Sequence, residues 1–357
     1  MRRLLFSAVS LALCSSVQAQ ALTTSQAVGT GSITTSVSDT SANGNARTSS
    51  VAKTLSFGKF SANTGVLVDV TSGLSFNAGT LKLSASGTKA TGSGTVAFGS
   101  NGSISAGSNL PGLAAFGLIN NQLSNSCTDS GSCFPSGVNN LNNNSSLTQT
   151  DTSWLSPTAS VSGASLNSYV GTGNVTSVLT TTASVSLATE QRINNQSADL
   201  QVTGLVGTQS LTYSYLKHAN ASFGTVADAN SLSLSNLTAG GSGFSVFNLG
   251  DASTTKLDML SLQCISGNCS AFNVSLSPLQ NLLAGNSVAG TATLATSAVG
   301  HYAATYLLTF SDDTAVGATS THLQNTLTLN VAAVPEPGSW ALLSIGLLGL
   351  AFCRRKK

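Results

Sequence analysis

The sequence predicts an all-β protein: two antiparallel β-sandwiches in tandem, with a short apolar helix at each end of the chain. Three observations lead there. Apolar residues alternate with Ser and Thr at period two through most of the 357 residues, which is the spacing of half-buried strands. Charged residues make up only 7% while apolar residues reach 41%, so the chain can bury a core with far less than the roughly 25% charge of an average soluble domain. Stretches free of charge occupy residues 4–13 and 340–353.

The first element is residues 1–21. Met1-Arg2-Arg3 precedes the apolar stretch Leu4–Leu13, and small residues follow at Val17, Ala19 and Ala21. A basic start, an apolar helix too short for a membrane anchor and small residues at alternate positions read as a secretory signal peptide cleaved after Ala19 or Ala21. The Sec translocon and a signal peptidase are then its partners. Lipidation at Cys14 is the alternative, disfavoured because Leu13 stands where a lipobox carries Gly or Ala.

Between residues 22 and 333, alternation marks Leu55–Phe57, Val66–Val70, Leu81–Ala85, Val185–Leu187, Leu211–Leu216, Leu232–Ser235, Phe244–Phe247, Phe272–Leu276, Tyr302–Phe310 and Leu327–Val331. Ser and Thr take the outward positions that Lys and Glu fill elsewhere, which suits an extracellular matrix or glycan setting. Asn, Ser and Gly clusters break the pattern near residues 120–144, predicting a long loop inserted in a first domain over 22–218. A second domain covers 219–333. Its best helix signal, Ser277–Leu283, predicts a single turn before Ala284-Gly285.

The formal charge of +2 resides in the tails. Without the six tail cations and Glu336, eight cations face eleven acids, a body charge of −3. A nucleic-acid partner needs a basic face, which this body lacks. Setting aside Cys14 and Cys353, the cysteines form two close pairs, Cys127 with Cys133 and Cys264 with Cys269. In an exported chain these read as local disulfides. A four-thiolate zinc site is the sharper alternative, but its usual spacing places two or three residues between paired cysteines.

No catalytic residue and no cofactor or metal site is assigned. His218, His301 and His322 are the only histidines, none at metal spacing, and they read as strand-end packing or surface residues. Gly-x-Ser-x-Gly, phosphate-loop, dinucleotide and His-Glu-x-x-His motifs are absent from the sequence. Asp312-Asp313, the only adjacent acidic pair, reads as a solvated turn, with a calcium ligand as the alternative.

The last element is residues 334–357. Pro335 and Pro337 flank Glu336 and stop any strand or helix continuing from the body, leaving an extended segment open to an enzyme. Residues 340–353 follow, with Trp340, Leu342, Leu343, Ile345, Leu347, Leu348, Leu350 and Phe352 as their large apolar side chains. As a helix they span about 21 Å, short of a bilayer core of about 30 Å, so they form a marginal transmembrane anchor. Arg354, Arg355, Lys356 and Lys357 hold the C-terminus in the cytoplasm and place the body outside.

A Pro-Glu-Pro triplet, a Gly-punctuated apolar helix and a terminal basic cluster, in that order, closely resemble the PEP-CTERM sorting signal of Gram-negative exported proteins. The resemblance implies recognition by a membrane-embedded exosortase, acting around Pro335, Glu336 and Pro337. Residues 221–331 resemble immunoglobulin-like repeats in Phe223-Gly-Thr-Val226, Phe247-Asn-Leu-Gly250 and Gly300–Tyr306. Phe57-Gly-Lys-Phe60 and Gly65–Val70 look like the opening strands of choice-of-anchor domains. Immunoglobulin-like or jelly-roll-like sandwiches are the implied fold.

The expectation is therefore an exported, non-catalytic cell-surface or biofilm-matrix protein. The C-terminal helix holds it transiently in the inner membrane before surface display or release, with exopolysaccharide as a further partner implied by the resemblance. Polysaccharide or ice binding is the alternative, although the Thr clusters show no fixed period. A surface hydrolase ranks third.

Overall fold

The computed structural model describes residues 20–41, 44–89, 97–112, 121–128, 140–150, 158–161, 163–189, 193–296 and 300–333. These residues form seventeen strands and three short 3-10 helices. All-β is the architecture observed. No helix among the described residues is long and apolar enough to cross a membrane. Two compact units emerge: residues 22–215 with 315–322, and residues 216–314 with 20–21 and 323–333.

The first unit contains β1 (Leu22–Asp39), β2 (Arg47–Gly58), β3 (Val66–Lys89), β4 (Ala97–Ser108), β5 (Asn121–Thr128), β6 (Asn140–Thr150), β7 (Thr158–Val161), β8 (Asn174–Thr189) and β9 (Ile193–Leu216). One sheet runs β1-β9-β3-β6, with β7 on β3, and the other β2-β8-β4-β5. Alternation explains what lies between them. On β3, Leu81, Leu83 and Ala85 are buried while Lys82 is exposed, and Leu179, Ala183, Val185 and Leu187 of β8 join the same core. Each large aliphatic so buried contributes roughly 1.5–3 kcal/mol.

Gln209 stands at an inward position of β9, completely buried. Its Oε1 accepts from Ser177 Oγ at 2.8 Å, and its Nε2 donates to Ser108 Oγ at 3.1 Å and Ser72 Oγ at 3.2 Å. Ser72 lies on β3 beside it, whereas Ser108 and Ser177 lie on the other sheet. The network therefore ties the two layers and fixes their register, since a buried polar group must find partners.

The loop expected near 120–144 is corrected at its two ends, and residues 129–139 lie outside the described residues. Residues 121–128 form β5 on β4, and residues 140–150 form β6 on β3, so strands enter the Asn-rich stretch from both sides. Both are terminal strands in their sheets, where a sequence poor in β-formers is tolerated. Residues 315–322 complete this unit: the Ala318 N–H donates to Leu67 O at 2.8 Å. Gly317, at φ +78°, allows the approach, because a Cβ there would lie 2.5 Å from Leu67 O.

The second unit contains β10 (Asn220–Ser222), β11 (Ser231–Leu234), β12 (Ser242–Leu249), β13 (Leu257–Gly267), β14 (Phe272–Leu276), β15 (Ser287–Leu294), β16 (Tyr302–Asp312) and β17 (Gln324–Ala333). Its sheets are β10-β12-β15-β14 and β11-β17-β16-β13, enclosing Phe244, Val246, Tyr306, Leu308, Phe310 and Leu329. The pairing is not antiparallel throughout, since β11 runs parallel to β17. The turn expected at Ser277–Leu283 does not form a helix. Leu279 O accepts from Met259 N–H and Leu282 bridges Leu257, so the segment runs beside β13 with a bend at Gln280 and Asn281, where Asn281 takes φ +60°.

Candidate functional site

The site that the sequence points to begins where β17 ends. Along this strand Leu327, Leu329, Val331 and Ala333 face the core, and Ala333 is buried. Tyr302 stands opposite Ala333, Ala303 opposite Ala332, and Leu237 N–H donates to Ala332 O at 3.0 Å. The ladder thus holds the chain up to the residue before Val334, and no spacer separates the folded unit from the segment carrying the Pro-Glu-Pro triplet. Pro335, Glu336, Pro337, the apolar residues Trp340, Leu342, Leu343, Ile345, Leu347, Leu348, Leu350 and Phe352, and Arg354, Arg355, Lys356 and Lys357 lie outside the described residues.

Ala19 also lies outside the described residues; Ala21 is exposed just before β1. Between them, Gln20 N–H donates to Ala252 O at 2.7 Å. Cys264 and Cys269 are joined, with their Cα atoms 5.9 Å apart. Gly267 permits that tight loop: its φ is +85°, and a Cβ would collide with the Ala303 carbonyl. Cys127 lies on β5, and Cys133 is outside the described residues.

Asp312-Asp313 is not a solvated turn. Both residues are buried at the end of β16. Asp312 Oδ1 accepts from Ala219 N–H at 2.7 Å, and its Oδ2 accepts from His218 Nδ1 at 2.8 Å and Leu323 N–H at 2.9 Å. Those three donors occupy the carboxylate and give it a structural role. His218 is a packing residue here, and His301 is exposed. His322 keeps both ring nitrogens buried without a hydrogen-bond partner. No group of three His, Cys, Asp or Glu able to hold a metal occurs among the described residues.

Two buried features escaped the sequence reading. Asp39 closes β1 with its carboxylate accepting from Ser41 and from Leu187 N–H. Tyr213 donates to Gly58 O at 2.7 Å, and burial pushes its hydroxyl up to about 12. A concavity of about 540 Å³ lies over β4 and β8, lined by the neutral residues Asn101, Ser103, Ser124, Ser184 and Ser186.

The described residues define an all-β protein whose last strand ends at Ala333, two residues before Pro335. Residues 333–356 match the PEP-CTERM protein-sorting motif, so the chain carries the signal of an exosortase substrate. That signal implies export and membrane-associated sorting in Gram-negative cells. No curated protein matches the chain. Among solved structures, the VesB protease of Vibrio cholerae is similar at 14% identity over 34% of this chain and 36% of that one, with a TM-score of 0.18. The Gx strain of infectious bursal disease virus is similar at 10% identity over 54% and 42%, with a TM-score of 0.11. The VP2 subviral particle of that virus gives 12% over 54% and 41%, with a TM-score of 0.10. The chain spans less than half the length of these proteins.

Proposed function

We propose that this is a non-catalytic cell-surface or biofilm-matrix protein. A signal peptide starts its export, the β body folds and oxidises outside the inner membrane, and helix 340–353 arrests it there. An exosortase then acts around Pro335–Pro337. The match of residues 333–356 to the sorting motif carries this reading. The end of β17 at Ala333, two residues before Pro335, supports it, because the enzyme meets the triplet beside a finished domain. The two units are assigned to choice-of-anchor-like and immunoglobulin-like sandwiches as part of the same proposal.

A second reading, binding of a neutral polysaccharide, is favoured by the uncharged polar concavity over β4 and β8. Replacing Pro335, Glu336 and Pro337 together by Ala tests the first reading in the native host. The expected result is an unprocessed chain accumulating in the inner membrane. Normal processing of that variant would remove the sorting role of the triplet. Screening the secreted body against neutral polysaccharides tests the second, by retardation in gels containing the polymer.

A further inference from the structure

The second unit is electrostatically polarised along its strands. Its charged side chains are Lys217, Lys256, Asp228, Asp251, Asp258, Asp312 and Asp313, a net of −3. Ser311 stands opposite Gln324 at the start of β17, and Leu257 opposite Asp312, so Lys256, Asp258, Asp312 and Asp313 gather at that end. Thr254 bridges Lys217, whose Nζ lies 2.6 Å from Asp251, and this brings two more charges there. Asp228 precedes β11, which enters the sheet at Ser231 opposite Thr328 and runs toward Ala333.

The opposite end is built from Ser235–Leu237, Ser266–Ala271 and Gly300–Ala304, segments without a single Lys, Arg, Asp or Glu. Asn268 N–H donates to Ala303 O and Leu237 N–H to Ala332 O, which gathers these segments around Ala333. Beside them Ile265 is 55% exposed, unpaired in a bulge between Cys264 and Ser266. Cys264–Cys269 fixes the loop that carries it.

Ala333 is also where the chain departs for the membrane. Residues 334–339 reach at most about 20 Å when extended. The headgroup layer between water and the hydrocarbon core takes about 5–8 Å of that. A folded unit held on so short a lead must rest close to the lipid, and the end it turns there is its uncharged one. The ten residues of β17 set the acidic end about 33 Å away, several times the Debye length of about 8 Å at physiological salt. Anionic lipid therefore repels this orientation least.

We propose that the uncharged Ala333 end of the second unit is a membrane-docking face, seated on the lipid headgroup layer while the sorting signal is inserted. This rests on the reading of residues 340–353 as a membrane anchor. The test uses the full chain reconstituted in vesicles of phosphatidylethanolamine and phosphatidylglycerol. An environment-sensitive fluorescent amino acid is placed at His301, beside Tyr302, or at Gln280, both exposed. Flotation is measured first, then quenching by headgroup-labelled lipid.

The expected result is a chain that floats and loses about two-fold in emission at position 301, with little loss at 280, the contrast set by the thickness of the headgroup layer. Equal quenching at both positions, or stronger quenching at 280, overturns the docking face and leaves the anchor intact. A chain that fails to float removes the anchor and the docking face together.

Discussion

The buried carboxylate of Asp312 offers the sharpest test of how the second unit is held together. Asp312→Ala removes three hydrogen bonds of 2.7, 2.8 and 2.9 Å and leaves the Ala219 N–H, the Leu323 N–H and His218 Nδ1 without their acceptor. Each of the three donors left without its acceptor costs about 1–3 kcal/mol, together about 3–9 kcal/mol. Leu323 is 42% exposed, so water replaces part of what its N–H loses, and the lower end, about 3 kcal/mol, is the appropriate figure. That is a large share of a domain stability of about 5–15 kcal/mol. At about 4 °C per kcal/mol for a unit of this size, the melting transition of the second unit should fall by about 12 °C. Calorimetry of the full chain reads it as a shift of one transition. Asp312→Asn keeps one acceptor oxygen and should fall by about half as much. A drop below about 3 °C for the Ala variant would show that these donors find other partners, refuting the structural role assigned to the carboxylate.

Two further predictions concern the first unit. Burial alone would raise the Asp39 carboxyl, but hydrogen bonds from Ser41 and Leu187 N–H, with Arg47 nearby, outweigh it and hold Asp39 below its ordinary value of 3.8. Its contribution is present above the unfolded value and lost as pH falls through the lower folded one, so stability should drop below about pH 4. Urea melts between pH 2 and 5 should show a shallower slope for Asp39→Asn. Burial pushes Tyr213 up to about 12 and raises Tyr169 as well, so both stay neutral in the fold while an unfolded chain ionises near 10. The stability they contribute is complete below pH 10 and is lost as pH rises toward 12. Absorbance titration at 295 nm should show them ionising only with unfolding.

The strands were legible where alternation coincides with burial on one face. Leu81-Lys-Leu-Ser-Ala85 and Leu327-Thr-Leu-Asn-Val331 each turn every second residue into a core. The strands at 121–128 and 140–150 were not, because Asn and Ser carry little β propensity and their pairing is imposed by β4 and β3. Asp312 resisted for another reason: its partners lie at 218, 219 and 323, and a contact so distant in sequence leaves no local trace. Gln209 did leave one. It falls in phase with Leu205, Leu211 and Tyr213, all inward, and a polar residue at an inward position signals a buried network. The triplet Pro335-Glu336-Pro337 was legible because a processing enzyme reads linear sequence and requires no fold around it.

The central claim is that the C-terminal segment is a sorting signal that an exosortase processes. The most direct measurement is the intact mass and cell fraction of the protein from its native host, with and without the exosortase gene. The account predicts a chain shortened at or beyond Val334 and displayed or released when the enzyme is present, and a full-length chain in the inner membrane when it is absent. An identical, unprocessed membrane-bound chain in both strains would contradict it and reduce residues 334–357 to a plain anchor.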